Sequence, residues 1–223
     1  MPSVRPHIAG PADFTAAFAV PRETVEKLEI YADLLRQWQR AINLVAPSTL
    51  DDMWHRHFTD CAQLINHAPN AEIWVDLGSG AGFPGLVIAI ILANHENHVV
   101  HLIESNGRKC AFLSEVARKT GAPVKVHEGR IEDIARGGHI GAADVVTSRA
   151  LAPLKLLLQL AGGYWADRTL GLFLKGHEAR QEIDEALLQW RFEFGCAPSR
   201  TSGDGMIVEV RNLALKEPSK SAC

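Results

Sequence analysis

The sequence predicts an α/β protein: a doubly wound, mostly parallel seven-stranded sheet entered through an N-terminal helical extension. Three observations carry this. From residue 73 onward, short β-branched runs alternate with helical segments, which requires crossover connections and therefore a parallel sheet. Two last apolar runs have only turn-forming residues between them, the mark of an antiparallel hairpin. Ahead of residue 70 the apolar period is helical.

Taken in order, residues 1–21 show no sustained period and are expected to form a loose arm. From Arg22 to Ile42, the residues Val25, Leu28, Tyr31, Leu35, Trp38 and Ile42 fall on one helical face. Ser48 and Thr49 offer N-cap hydroxyls, Asp51 and Asp52 suit a first turn, and Trp54, Phe58, Cys61 and Ile65 continue a second helix. Residues 22–70 are thus the helical extension. Over 71–214 the strands are read in IWVDL, VVHLI, VKVH, ADVVTS and TLGLFLK, with helices near 84–93, 106–119, 151–160 and 177–190. RFEFGCAP and MIVEVRNL form the closing hairpin, and 215–223 is a tail.

Hydrophobic residues at 47% and charged residues at 22% describe an ordinary globular protein. A net charge of -3 supplies no overall basic field, so any contact with phosphates needs a local patch. Cys61, Cys110, Cys196 and Cys223 are scattered, which points to neither a disulfide framework nor a zinc site and fits a reducing cytoplasm. His95, His98 and His101 recur every third residue, but they lead from a loop into a strand, and no metal site is expected. The N-terminus lacks the apolar core of an export signal, and Leu86–Ala93 is far shorter than the roughly 20 residues that cross a bilayer. No membrane partner is expected. With no repeat or heptad seam, the chain is read as a monomer.

The chemistry concentrates in DLGSGAGFPG, Asp76 to Gly85, where four glycines follow a strand and run into a helix. Such a loop presents bare backbone and a helix N-terminus to a ligand. Gly80, Gly82 and Gly85 satisfy GxGxxG, the dinucleotide fingerprint. Read from Asp76, the string is apolar, Asp, apolar, GxGxG, and it resembles the first motif of S-adenosylmethionine-dependent methyltransferases with the doubly wound fold. A carboxylate there can attract the amino-acid end and sulfonium of that cofactor but opposes a pyrophosphate. Asp76 can act through water or by ordering the loop. Glu104, after the second strand, is placed to accept hydrogen bonds from ribose hydroxyls, or else to favour the next helix dipole. Ile131 and Glu132 can clamp an adenine, or simply begin a helix.

The motifs WQRAINLV, RHFTDCAQL, DLGSGAGFPG, IESNGRKCAFLSEVARKTG, GRIED, VVTSRALAPL and FLKG occur in order over about residues 25–212. In this the chain resembles the bacterial small-subunit rRNA methyltransferases of the glucose-inhibited division protein B family, which modify guanine N7 in the 530 loop of 16S rRNA. The resemblance implies the class I methyltransferase fold, S-adenosyl-L-methionine as cofactor with S-adenosyl-L-homocysteine as product, and 16S rRNA or the small ribosomal subunit as partner. It implies cofactor contacts at Gly78, Phe83, Ile131, Glu132 and Arg149, beside Gly80 and Glu104 from the loop and strand readings. It also implies RNA-facing roles for Asn43, Arg56, His57 and Lys175.

Guanine N7 carries a lone pair and no proton, so positioning is expected to replace acid and base catalysis. Arg149 stands past a strand end, where it can fix cofactor, phosphate or the guanine O6 edge. Lys175 occupies the equivalent edge and suits a phosphate, or is a solvated strand-end lysine. Arg56 lies four residues before Asp60, so a helix ion pair is its plain alternative. Two other readings stay open: a methyltransferase for another RNA or a small molecule, and a non-catalytic dinucleotide-binding module.

Overall fold

The computed structural model describes residues 6–217. Seven strands form one sheet in the order β3-β2-β1-β4-β5-β7-β6. These are β1 (Ile73–Leu77), β2 (Val99–Glu104), β3 (Val124–Glu128), β4 (Val145–Arg149), β5 (Leu170–Lys175), β6 (Trp190–Pro198) and β7 (Met206–Leu215). The first five are parallel, and β7 pairs antiparallel with both β5 and β6. The expected hairpin is therefore present, and it closes the sheet. The strand order reverses between β1 and β4, which opens a crevice at their carboxyl ends.

Ahead of the sheet come α1 (Pro11–Phe18) and α2 (Arg22–Gln39). A compound helix, α3, follows: π-helical Trp54–Thr59, one α turn Asp60–Ala62, and 3-10 helical Gln63–His67. Between the strands run α4 (Gly85–Ile91), α5 (Gly107–Thr120), α6 (Ile131–Arg136), α7 (Leu154–Ala161) and α8 (Ala179–Gln189). Asn106 caps α5, accepting from the amides of Arg108 and Lys109, and Gly121 ends it in the left-handed region.

The sheet divides the core in two. Trp74, Val100, Leu102, Val145 and Leu172 face a cluster built with α1 to α5, whereas Val75, Ile103, Val146, Phe173 and Val208 face α6 to α8. The helical extension is thus one wall of the larger cluster, packed over α4 and α5.

Two expectations are corrected. Residues 1–21 are not a loose arm where they are described: α1 buries Phe14 against Trp54, with ring centroids 5.4 Å apart, and Ile8 and Val20 are buried beside it. A helix of eight residues with one buried anchor shows no period to detect. The second correction concerns Ser48 and Thr49, which do not cap α3. Pro47–Thr49 forms a separate 3-10 turn, in which the Thr49 hydroxyl donates to the Ala46 carbonyl at 2.7 Å.

Candidate active site

The glycine loop leaves β1 through three residues in the left-handed region, Gly78, Gly80 and Gly82, with φ of 66°, 57° and 94°. The third tolerates no side chain, because a Cβ there would lie 2.7 Å from the Tyr31 hydroxyl oxygen. The loop is pinned from below. The Asp76 carboxylate is fully buried and accepts from the Gly85 amide at 3.1 Å, while its Oδ1 has no partner. Burial pushes this carboxyl up to about 7. Of the two roles open to Asp76, ordering the loop is the one its contacts serve.

A cavity of about 660 Å³ lies over the loop at the carboxyl edge of the sheet. All seven residues expected to contact the cofactor line it. Gly78, Gly80 and Phe83 come from the loop, Glu104 from β2, Ile131 and Glu132 from the start of α6, and Arg149 from the end of β4. Glu104 spans the gap between loop and helix, since Oε2 accepts from the Gly80 amide at 2.9 Å and Oε1 from the Asn106 amide at 2.8 Å. Helix α5 is capped by Asn106, which leaves Glu104 facing the cavity rather than serving as that cap. The backbone of Ile131 is fixed by the buried Tyr164 hydroxyl, which donates to its carbonyl at 2.7 Å.

The helical extension closes the cavity around one ring. Phe83 is stacked on His57 at 4.7 Å and 13°, and on Tyr31 at 5.5 Å and 27°. Tyr31, fully buried on α2, also donates its hydroxyl to the Ala81 carbonyl. The Arg149 guanidinium stands 5.5 Å over the Phe83 ring, donates to His57 Nδ1 at 2.7 Å and lies 3.6 Å from Asp60. His57 Nδ1 is therefore an acceptor, and Nε2 carries the proton towards the Thr49 hydroxyl oxygen at 2.8 Å. Burial, then Arg149 and Arg56, lower His57 to about 3, which keeps the ring neutral.

His57 is buried, although it lines the cavity. A regular helix places it beside the apolar face. The π-helical segment, held by the Thr59 hydroxyl donating to the Trp54 carbonyl at 2.8 Å, turns the phase so that Trp54, His57 and Phe58 are all buried.

The residues expected to face RNA are divided. Asn43 is exposed next to Leu44, Val45 and Ala46, which line the cavity rim. Arg56 is exposed and forms no ion pair with Asp60, whose carboxylate instead receives Ser199, Thr201 and Gln63. Arg56, Arg149 and Lys175 meet in a second cleft of about 540 Å³ that shares the Arg149–Ala150–Leu151 turn with the first. Lys175 is neither solvated nor a free point charge. Its side chain is 8% exposed, and the ammonium contacts both Glu182 and the Ala152 carbonyl at 2.6 Å.

Tyr31, Thr49, Asp60 and Leu151 complete the site, and sequence reasoning missed them as site residues. In the sequence Tyr31 is one member of an apolar stripe, indistinguishable from core. His101 and His127 meet off the site across β2 and β3, and among the described residues no group of three His, Cys, Asp or Glu is arranged to hold a metal.

Two solved structures share the fold: an O-methyltransferase from Klebsiella pneumoniae described as putative (TM-score 0.59, 14% identity, 91% of this chain and 96% of that one) and the Bacillus cereus O-methyltransferase in complex with SAH (0.57, 12%, 89% and 96%). The ribosomal RNA small subunit methyltransferase G of Parvibaculum lavamentivorans is 46% identical over 209 residues, covering 93% of this chain and 92% of its own. That of Rhodospirillum centenum is 49% identical over 203 residues, covering 91% and 90%. The family model for rRNA small subunit methyltransferase G (GidB) matches residues 24–199. With that match and those identities, the chain belongs to the rRNA small subunit methyltransferase G family.

Proposed function

We propose that this protein methylates N7 of a guanine in the 530 loop of 16S rRNA, with S-adenosyl-L-methionine as methyl donor. The observation that carries the reading is one cavity in which the glycine loop, the Glu104 carboxylate and the Ile131–Glu132 step converge at the topological switch of the sheet. The residues fit the cofactor. Glu104 can accept from ribose hydroxyls, Ile131 and Glu132 offer an apolar and an acceptor group to an adenine, and the bare loop admits the close approach of the chain that carries sulfur. When bound, the cofactor supplies an electrophilic methyl group that a purine N7 lone pair accepts without loss of a proton.

The titratable groups of the site match a reaction that moves no proton. His57 is neutral, with Nδ1 held by Arg149. Burial keeps Tyr31 and Cys61 well above their ordinary values, so both remain protonated. None is poised as a base. The residues instead position: Arg149 is clamped between His57 and Asp60.

The dinucleotide reading is disfavoured by one contact. The Gly85 amide, at the helix N-terminus where a pyrophosphate would sit, is already given to the buried Asp76 carboxylate. Among the described residues no helix is long and apolar enough to cross a membrane. The test is transfer of labelled methyl to small subunits lacking the 530-loop mark, with naked 16S rRNA beside them, followed by mapping of the modified base. Incorporation at guanine N7 in that loop is expected. Cofactor binding with no incorporation into either would overturn the substrate, and failure to bind S-adenosylhomocysteine would overturn the reading of the loop.

A further inference from the structure

The loop that follows β4 serves two cavities. Arg149, Ala150 and Leu151 line the cavity over the glycine loop and the second cleft alike. Ala150 has φ of 53°, in the left-handed region that a non-glycine residue enters at a cost, and such a conformation persists where its surroundings fix it. On one side of it the Arg149 guanidinium is directed to His57 and Asp60. On the other, Leu151 is seated over Gly78, where its Cδ1 lies 2.6 Å from the position of an added Cβ.

Among the described residues, the side-chain hydrogen bonds that reach the backbone of residues 150–154 are two, and both belong to one ion pair. The Lys175 ammonium, at the end of β5, donates to the Ala152 carbonyl at 2.6 Å and lies 2.6 Å from Glu182 Oε2. That same oxygen accepts from the Leu154 amide at 2.6 Å. Leu154 is the first residue of α7, and Pro153 before it has no side chain able to cap, so this amide has no partner within its own helix. Glu182 thus caps α7 from α8, and places a negative charge at the helix N-terminus. The strands β4 and β5 are in register at Arg149 and Leu174, which brings Lys175 level with the start of the loop.

We infer that Lys175 and Glu182 form a brace that sets the loop after β4, and that Lys175 positions Arg149 and Leu151 through the Ala152 carbonyl instead of meeting an RNA phosphate. For the reaction, this role rests on the methyl transfer proposed above. The two side chains are 8% and 18% exposed, so solvent screens the pair far less than it does a surface pair. Each charged group makes a further hydrogen bond, which a buried pair needs in order to hold. A phosphate arriving at this ammonium meets the Glu182 carboxylate beside it, a repulsion that the exposed Arg56 in the same cleft does not impose.

The variants Lys175→Met and Glu182→Gln, in the full chain, test this. Lys175→Met keeps the reach of the side chain and removes its donors. Glu182→Gln keeps an oxygen for the Leu154 amide and removes the charge; it is the milder change and carries the test if Lys175→Met does not fold. Assayed well below the Tm of each variant, both should raise the Kd for S-adenosylhomocysteine, by calorimetry, and lower kcat on unmethylated small subunits, each by about tenfold. The double variant should be no worse than the more damaged single, because the two residues act as one unit. The slope of log KM against log salt should match the wild type. A Kd within about twofold of the wild type in the folded variants overturns the brace, because the pair then serves stability alone. A salt slope smaller by about one in Lys175→Met, with a lower KM in Glu182→Gln, overturns it too, because the ammonium then meets a phosphate. Wild-type protein that binds S-adenosylhomocysteine but methylates no subunit removes the proposed reaction, and the brace then stands or falls on the Kd.

Discussion

His57 shows what burial does to a single side chain. The isolated imidazole titrates near 6.5, whereas in the fold desolvation and two arginines lower it to about 3. A lowered value in the folded state means that the unfolded chain takes up the proton first. Stability is therefore fully present above pH 6.5 and is lost as pH falls from 6.5 towards 3. Each pH unit within that window costs about 1.4 kcal/mol for one proton. His57→Gln keeps a neutral acceptor for Arg149 and removes the titration. It should be less stable than the wild type at pH 7.5, with the gap in Tm narrowing steadily down to pH 4.5. A gap that stays constant with pH would mean that His57 titrates normally in the folded protein. The sequence discloses that a histidine lies here but not its state, because that depends on Phe83 and Arg149, which are 26 and 92 positions away.

At the scale of the element, the glycine loop was the most legible part of the chain, yet its glycines are not equivalent. Gly80 has φ of 57°, and its nearest neighbour to an added Cβ would be the Gly78 carbonyl oxygen at 3.7 Å. Gly80→Ala should cost only the left-handed backbone, about 1–2 kcal/mol. Gly82 has φ of 94°, and a Cβ would meet Leu86 Cδ1 at 2.4 Å and the Tyr31 oxygen at 2.7 Å. Strain and overpacking together should take Gly82→Ala to roughly 3 kcal/mol or more. Urea denaturation of the two variants decides the matter, and equal losses would show that φ alone sets the requirement. Strands and crossover helices were also legible, since their periods are local. The π-helical segment of α3 was not, because one extra residue per turn leaves Trp54, Phe58 and Cys61 at spacings an ordinary helix also satisfies.

Across the whole molecule, the helical extension and one face of the sheet share a single packed cluster, and the site lies on their seam. The glycine loop and the ends of β2 and β4 line the cavity together with His57 and Leu44–Ala46, and Tyr31 on α2 braces the loop from behind. Sequence motifs listed the two parts correctly but could not place one against the other, since that contact is made by Tyr31, Phe58 and Phe83, residues of an ordinary apolar kind. The same limit hid α1. Phe14 is fully buried, packs edge-on against Trp54 at 5.4 Å, and touches the Phe18 ring at 4.7 Å. Trp54 in turn meets Phe58 at 5.0 Å, and Phe58 meets Phe83, so a short aromatic chain links the first helix to the glycine loop. Large-to-small changes at fully buried phenylalanines cost about 3–5 kcal/mol, and a site near the chain end relaxes more readily than a central one. Phe14→Ala should therefore lower the unfolding free energy by about 3 kcal/mol, and S-adenosylhomocysteine affinity should fall with it as Trp54 and Phe58 loosen behind Phe83. A loss below about 1 kcal/mol in urea denaturation, with cofactor affinity unchanged, would show that α1 lies on the surface of the core without belonging to it.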